Sequence, residues 1–525
     1  MKRRMLFGSI AVVAVAGAVT AAVILPQIGG PVSATTPVSV IPQPAQLKVV
    51  SGDPFVLSAD LGISTDDAAL APIADYLAEA IRWSTEVDAS VAKDGSEASI
   101  ALAIDSELAE EAYTLHAAKD GIRISAGSPA GAFWAVQTLR QLLSATSPWA
   151  VAAVEIEDSP RFAYRGAMLD VARHFFGVDD VKRYIDDIAL LKINYLHLHL
   201  TDDQGWRLQI DSWPLLTDVG SRYEVDTMPG QIGGGFYTKD DYRELVDYAA
   251  SRFITIVPEI DMPGHTNAAL ASYPELNPDG VARPPYTGIN VGFSSLDVNN
   301  ETTWRFVEDV VREVAELTPG PYLHIGGDES RATSDADFEA FVARASAIAA
   351  ASGKTVIGWH EMGQSGELPA GTVGQYWNYT EPETPETAEH ALSFVEQGGK
   401  LIMSPANVAY LDMKYDIMTQ QGLTWAQGFT SVADSYSWDP ADVLPGVGDE
   451  QLLGVEAPLW SETLESIDDI EFMAFPRLAA VAELAWSPRG EKDFAEFAPR
   501  LAELGVKLDA LGIGYHRAAG VPWSE

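Results

Sequence analysis

The stretch Tyr322-Leu323-His324-Ile325-Gly326-Gly327-Asp328-Glu329-Ser330 joins a short apolar run to two carboxylates. The apolar run predicts a buried strand, which the two glycines end. Functional side chains of parallel α/β proteins gather at the carboxyl ends of strands, so the two acids are candidate catalytic groups. Neighbouring acids repel when both are ionised, and a protonated acid beside an ionised one suits glycosidic-bond cleavage. The alternative is a glycine turn followed by solvated acids at a helix N-terminus.

The same order of strand, loop and helix recurs around this stretch. The pattern predicts helices over 178–191, 242–252, 303–317, 335–351 and 467–485. It predicts eight strands, over 166–171, 195–200, 253–259, 321–325, 355–359, 374–377, 400–403 and 454–460. Eight such units in roughly 330 residues predict a (β/α)8 TIM barrel over 161–525. The fifth and seventh units lack an obvious long helix.

A smaller α/β domain is predicted over residues 35–160, before the barrel. Apolar runs at 100–104 and 121–125 predict strands, and apolar residues three and four apart predict helices over 68–83 and 130–143. No cluster of convergent polar residues occurs there, which favours a structural role for this domain.

Polar and aromatic residues follow each predicted barrel strand. Carboxylates and an arginine can hold sugar hydroxyls, and tryptophan faces cover the apolar faces of a pyranose. The recurrence at all eight strand ends predicts a saccharide pocket. Its members are Asp170, Arg173, His174, Asp202, Asp203, Trp206, Glu259, Asp261, His265, Asp328, Glu329, Trp359, Glu361, Trp377, Tyr410, Asp412, Trp460 and Glu462.

A metal centre is the main rival interpretation. His197 and His199 alternate along one strand, as metal-ligating histidines do, and His324 and His360 could add ligands. No obvious ligand set surrounds the pair, so histidines hydrogen-bonded in the core are the favoured interpretation.

Composition narrows the partners and the compartment. Lys+Arg 34 against Asp+Glu 75 gives a net charge of −41, which disfavours nucleic acid and anionic membrane surfaces. The absence of cysteine excludes disulfides and thiolate chemistry. Residues 1–34 carry Lys2-Arg3-Arg4, an apolar run and Val32-Ser33-Ala34, which is typical of a signal peptide. Secretion is therefore expected, with an uncleaved N-terminal anchor on the outer face of the membrane as the alternative.

Several stretches resemble family 20 of the glycoside hydrolases, the β-N-acetylhexosaminidases. They occur in family order and extend over essentially the whole chain after the leader. The matching stretches are Arg165-Gly166-Ala167-Met168-Leu169-Asp170-Val171-Ala172-Arg173-His174-Phe175, His197-Leu198-His199-Leu200-Thr201-Asp202-Asp203-Gln204-Gly205-Trp206-Arg207, Pro263-Gly264-His265, His324-Ile325-Gly326-Gly327-Asp328-Glu329, Tyr410-Leu411-Asp412 and Trp460-Ser461-Glu462.

The resemblance implies a retaining mechanism in which the substrate's own 2-acetamido oxygen attacks the anomeric carbon, an exception to the usual two-carboxylate scheme. It implies Glu329 as acid and base, and Asp328 and Tyr410 as the groups that hold the acetamido group. The other implied substrate-binding residues are Trp359, Trp377 and Trp460 around the acetamido group, Arg173, Asp412 and Glu462 at the ring hydroxyls, and Asp202 and His265 in support.

The expected function is therefore an exo-acting enzyme that releases terminal GlcNAc or GalNAc from oligosaccharides, without cofactor or metal. Its expected partner is a glycan ending in a β-linked N-acetylhexosamine. Three alternatives stay open: a disaccharide-releasing glycosidase of the same fold, one specific for chitooligosaccharides, and a non-catalytic glycan-binding protein. A conventional retaining glycosidase with Glu462 or Asp202 as the nucleophile belongs with the first of these.

Overall fold

The computed structural model describes residues 38–92, 98–224, 232–490 and 492–524. The predicted leader, residues 1–34, lies outside these ranges. From residue 37 onward the chain forms one compact unit. No described helix has the length and apolar character needed to cross a membrane.

A seven-stranded mixed sheet forms the N-terminal region. In spatial order its strands are Gln46–Val49, Val154–Asp158, Tyr113–Ala118, Gly121–Ala126, Ile100–Ile104, Asp60–Thr65 and Asp88–Val91. The predicted strands are present, and the helices span Ala71–Ser84 and Pro129–Leu142. A short antiparallel pair, Phe55–Val56 with Ala150–Val151, lies beside them.

Eight parallel strands then close into a barrel in chain order, which confirms the predicted fold. Every strand lies where the sequence pattern predicts it, within a few residues. The strands are Tyr164–Asp170, Tyr195–His199, Thr255–Glu259, Tyr322–His324, Thr355–Trp359, Val373–Tyr376, Leu401–Met403 and Leu452–Ala457.

The longer helices follow the prediction with three exceptions. The predicted helix over 467–485 is two helices, since Pro476 lacks the N–H that an uninterrupted helix needs. The helices Pro385–Glu396 and Phe494–Leu511 are absent from the prediction. The main barrel helices are Val178–Ala189, Lys239–Ala250, Glu301–Leu317, Asp335–Ala351, Pro385–Glu396, Ile467–Ala474 and Arg477–Trp486, and shorter helices span Leu215–Asp218, Asn267–Ser272, Ala406–Ala409 and Val432–Tyr436.

The fifth and seventh units do lack a long helix. After the fifth strand the chain makes only a 3₁₀ turn, His360–Gln364. After the seventh it runs through the short helices Ala406–Ala409 and Val432–Tyr436.

A buried polar cluster joins the sheet region to the barrel. Lys192 Nζ lies 2.9 Å from Asp158 Oδ2, and the Tyr113 hydroxyl donates to the same carboxylate at 2.6 Å. Trp486 Nε1 donates to it at 3.0 Å. Because all of these groups are buried and paired, removing one partner would leave the others unsatisfied, which ties the two parts together.

Candidate active site

Alternation along the barrel strands builds the interior in layers. Tyr195, His197 and His199 all face inward, because side chains on a strand alternate between its two sides. Tyr195 stacks on Tyr164 with ring centroids 4.3 Å apart, which closes the amino-terminal end of the barrel. The layers above are polar and lead to the carboxyl ends of the strands.

Carboxylates contact both ring nitrogens of His197 and both ring nitrogens of His199. His197 lies 2.9 Å from Glu456 through Nδ1 and 3.0 Å from Glu259 through Nε2. His199 pairs with Glu259 and, at 2.7 Å, with Asp202. Burial opposes the charge, but the carboxylates of Glu456 and Glu259 raise the pKa of His197 to about 9, and Glu259 and Asp202 raise that of His199 well above its usual range.

This pairing bears on the rival metal interpretation. Donor atoms of His197, Glu259 and His324 lie within 4.8 Å of one another. A protonated imidazole has no free lone pair for a cation, however, so the contacts of His197 favour a paired core histidine over a ligand. Burial lowers the pKa of His324, so this argument does not extend to that residue.

The turn that carries Asp328 and Glu329 follows the fourth strand. A Cβ at Gly326 (φ +67°) would lie 1.7 Å from Asp261 Oδ1, so glycine is required where the chain passes that acid. Glu329 and His265 have φ values of +45° and +53°, a conformation that is rare outside glycine and clusters at functional sites.

His265 links the two acids to a buried carboxylate. Its Nε2 lies 3.5 Å from Asp328 Oδ2 and 3.6 Å from Glu329 Oε2, while Nδ1 lies 3.1 Å from Asp202. Burial works against the charge, yet Asp202 and Asp328 raise the pKa of His265 well above its usual range. Burial also opposes ionisation of Asp202, but the nearby charges of Arg173 and His265 hold the pKa of Asp202 well below its usual range. Asp202 and His265 therefore lie beneath the acid, where they contact protein groups.

Asp328 has one carboxylate oxygen without a protein donor in the described part of the chain. Its side chain is 12% exposed, and its Oδ1 is buried with no hydrogen-bond partner among the described residues. Burial and the charge of Glu329 raise the pKa of Asp328, against the charge of His265. The carboxylate is partly exposed, so it can accept a hydrogen bond from a ligand N–H.

An aromatic cluster lies beside Asp328. Trp359 and Trp460 are 5.9 Å apart between ring centroids, and Tyr410 lies 6.2 Å from Trp460. Trp377 packs at the edge of this group and donates from Nε1 to Glu361 at 2.9 Å. Three tryptophans and a tyrosine from different strand ends thus form one apolar cluster.

Arg173, Asp412 and Glu462 form a polar group across the same opening. Arg173 is held by Asp202 at 2.9 Å and lies over the Trp460 ring at 4.6 Å, and its Nε has no partner among the described residues. Both carboxylate oxygens of Asp412 are likewise buried without one. Burial and the charge of Glu462 raise the pKa of Asp412 well above its usual range. The group therefore presents donors and acceptors that sugar hydroxyls can satisfy.

Sequence reasoning missed residues at the rim of the pocket. Trp425, 43% exposed, contacts the rings of Trp377 and Tyr410. Tyr286 and Ile289 line a cleft together with Arg173 and Glu462. All of these residues lie in long loops outside any strand-end motif. The aromatic residues within those loops were the only sequence feature that could have indicated them.

The models of two protein families match the chain. "Glycosyl hydrolase family 20, catalytic domain" matches residues 162–489, and "Glycosyl hydrolase family 20, domain 2" matches residues 37–159. A β-N-acetylhexosaminidase of Cellulomonas fimi is 41% identical over 493 residues, covering 93% of this chain and 97% of the relative.

Solved structures agree with these matches. Streptomyces plicatus N-acetyl-β-hexosaminidase in complex with thio-NAglucal is 49% identical with a TM-score of 0.89, over 93% of this chain and 98% of that one. A family 20 exo-β-N-acetylglucosaminidase from Vibrio harveyi, in complex with N-acetylglucosamine, is 30% identical with a TM-score of 0.80, over 92% of this chain and 79% of that one.

Proposed function

The chain belongs to family 20 of the glycoside hydrolases, and on that basis we propose that it is an exo-acting, retaining β-N-acetylhexosaminidase. It removes terminal GlcNAc or GalNAc from oligosaccharides, with the 2-acetamido oxygen of the substrate as the nucleophile. The observation that carries the proposal is the partly exposed carboxylate of Asp328, which lies next to Glu329 in the chain and beside a cluster of aromatic side chains.

The acetamido group fits the pocket between Asp328 and the tryptophans. The Asp328 carboxylate accepts the acetamido N–H and stabilises the positive charge that develops as the ring closes. Burial and the charge of Asp412 raise the pKa of Tyr410 well above its usual range, so its hydroxyl keeps its proton and can donate to the acetamido oxygen.

Glu329 protonates the leaving oxygen and then activates water. His265 Nε2 lies 3.6 Å from its Oε2 with Asp202 behind it, which places a positive charge where it stabilises the carboxylate that Glu329 becomes after it has protonated the leaving oxygen. Asp328 and Glu329 arise from one strand end and lie too close to flank a sugar and a water from opposite faces, which disfavours inversion.

Hydrolysis of an aryl β-N-acetylglucosaminide, compared between the wild type and Asp328→Asn, tests the proposal. The wild type should release the aryl alcohol, and the variant should lose turnover together with affinity for GlcNAc-thiazoline, a mimic of the cyclised intermediate. A protein that binds the glycoside without cleaving it would instead be a glycan-binding protein. A fluorosugar trapped covalently on Glu462 would contradict the substrate nucleophile.

Export of the enzyme is a separate part of the proposal. It is supported by the basic, apolar and small-residue segments of positions 1–34. N-terminal sequencing of protein recovered from culture medium tests it, and an intact leader on membrane-bound protein would support the anchored form. Hydrolysis rates on a panel of chitin fragments and other glycans distinguish a chitooligosaccharide-specific enzyme from one of broader specificity.

A further inference from the structure

An exposed arginine is ion-paired with the proposed acid. Arg331 Nη2 lies 2.8 Å from Glu329 Oε1. The Arg331 side chain is 67% exposed, whereas that of Glu329 is 18% exposed. One end of the guanidinium therefore reaches the acid while the rest faces solvent.

The position of this pair places Arg331 on the leaving-group side. Glu329 delivers its proton to the oxygen that joins the released sugar to the leaving group. A side chain that is hydrogen-bonded to Glu329 therefore lies within reach of the leaving group. A Cβ at Gly292 (φ +77°) would lie 2.9 Å from Arg331 Cδ and 3.0 Å from the Glu329 carbonyl oxygen. The loop that contains Gly292 thus packs directly on Arg331.

The same loop reaches the sugar pocket. Tyr286, Gly288 and Ile289 line the cleft with Arg173 and Glu462, and Tyr286 packs on Phe293 with ring centroids 4.6 Å apart. The loop therefore forms a wall that starts at the proposed ring-hydroxyl group and ends at Arg331. Ile289 and Phe293 are 59% and 45% exposed, which gives this wall an apolar surface.

The contact between Arg331 and Glu329 is open to competition from a substrate anion, because the Arg331 side chain is 67% exposed. An anion carried by the leaving group would occupy the guanidinium and release the acid at the same time. A planar guanidinium fork matches a carboxylate in two-point geometry.

We propose that Arg331 determines leaving-group specificity by binding the carboxylate of a uronic acid that carries a terminal β-linked N-acetylhexosamine. This rests on the proposed function of the same site. The net charge of −41 repels such a substrate at a distance, but at physiological ionic strength charges are screened beyond about 8 Å. Contact with a local cation then governs recognition.

A matched pair of disaccharides tests the proposal: GlcNAc β-linked to glucuronic acid, and the same sugar linked to glucose. We expect Arg331→Gln to lower kcat/KM about tenfold for the acidic disaccharide and to change it less than about threefold for the neutral one. Arg331→Lys should restore part of the kcat/KM that Arg331→Gln loses on the acidic disaccharide. In the wild type, raising NaCl from about 0.05 M to about 0.5 M should bring the kcat/KM values for the two disaccharides closer together. Arg243→Gln is the control, because it removes an exposed arginine on the helix Lys239–Ala250, where Arg243 pairs with Asp240.

Equal losses on both disaccharides would overturn the proposal, since Arg331 would then only hold Glu329 in place. An unchanged ratio of kcat/KM between the two disaccharides in Arg331→Gln would overturn it as well. If the wild type hydrolyses the aryl β-N-acetylglucosaminide in either case, the proposed function stands and only the role of Arg331 falls. A wild type inactive on the aryl glycoside and on both disaccharides would remove the proposed function itself.

Discussion

The sugar-binding floor of the pocket and its leaving-group rim are built from different parts of the chain. The floor consists of side chains at barrel strand ends, such as Asp328, Trp359 and Asp412, all of them largely buried. The rim consists of loop residues such as Arg331 and Trp425, which are substantially exposed. The floor is held by many neighbours, so substitutions there should impair every substrate. Substitutions at the rim should cost less and depend on the leaving group.

The largest effect is expected when the substrate is changed rather than the protein. An aryl β-glucoside lacks the acetamido group that fills the floor and supplies the nucleophile. An oriented intramolecular nucleophile contributes roughly 7–11 kcal/mol, so kcat/KM should fall by roughly 10⁵-fold or more relative to the N-acetylglucosaminide. Comparable rates on the two glycosides would show that the floor does not bind an acetamido group.

Glu329→Gln tests the acid where floor and rim meet. We expect turnover to fall by about 10²–10⁴-fold on substrates with poor leaving groups. The first step should suffer less on aryl substrates whose leaving group needs little protonation. Glu339→Gln, on the exposed face of the helix Asp335–Ala351, is the control. Equal losses on both kinds of substrate would assign Glu329 another role.

The pH dependence of protein stability tests the environment of Glu361 at the floor. Burial and the charge of Asp328 raise the pKa of Glu361 to about 8, from an ordinary value of 4.5. Between these values the folded protein binds a proton that the unfolded chain has released, so this group's contribution to stability falls as the pH rises from about 4.5 to about 8. Glu361→Gln cannot ionise and should lose less Tm than the wild type between about pH 5 and about pH 8. Parallel declines would mean that Glu361 does not titrate in this window.

Trp425→Ala tests the rim. The indole is 43% exposed and packs on Trp377 and Tyr410, so its free face can stack on a second sugar. Losing one aromatic platform should raise KM for oligosaccharides by roughly tenfold and leave small aryl glycosides nearly unchanged. Trp83→Ala, at a 63% exposed position on the helix Ala71–Ser84, is the control. A large loss on aryl glycosides would place Trp425 in the floor.

The difference between floor and rim also separates what the sequence could predict from what it could not. Strand ends of a barrel meet at one face, so Asp328, Tyr410 and Glu462 could be grouped from their positions alone. The partners of His197 could not, because Glu259 and Glu456 come from distant strands and their contacts depend on barrel register. Arg331 escaped notice because its contact with Glu329 depends on how a loop folds back, which no periodicity in the sequence encodes.

The smallest expected effect concerns chelation. His197 and His199 contact carboxylates through both ring nitrogens, and their raised pKa values keep them protonated, so they are expected to stabilise the floor as ion pairs rather than as metal ligands. Excess EDTA should therefore leave kcat/KM unchanged on the aryl glycoside. Loss of activity that zinc or manganese restores would mean that the histidines are neutral and bind a cation, and the floor would then be a metal centre. Thermal unfolding with and without EDTA supplies a second readout, because a cation bound to the folded state alone raises Tm by an amount that grows with the logarithm of its free concentration above Kd.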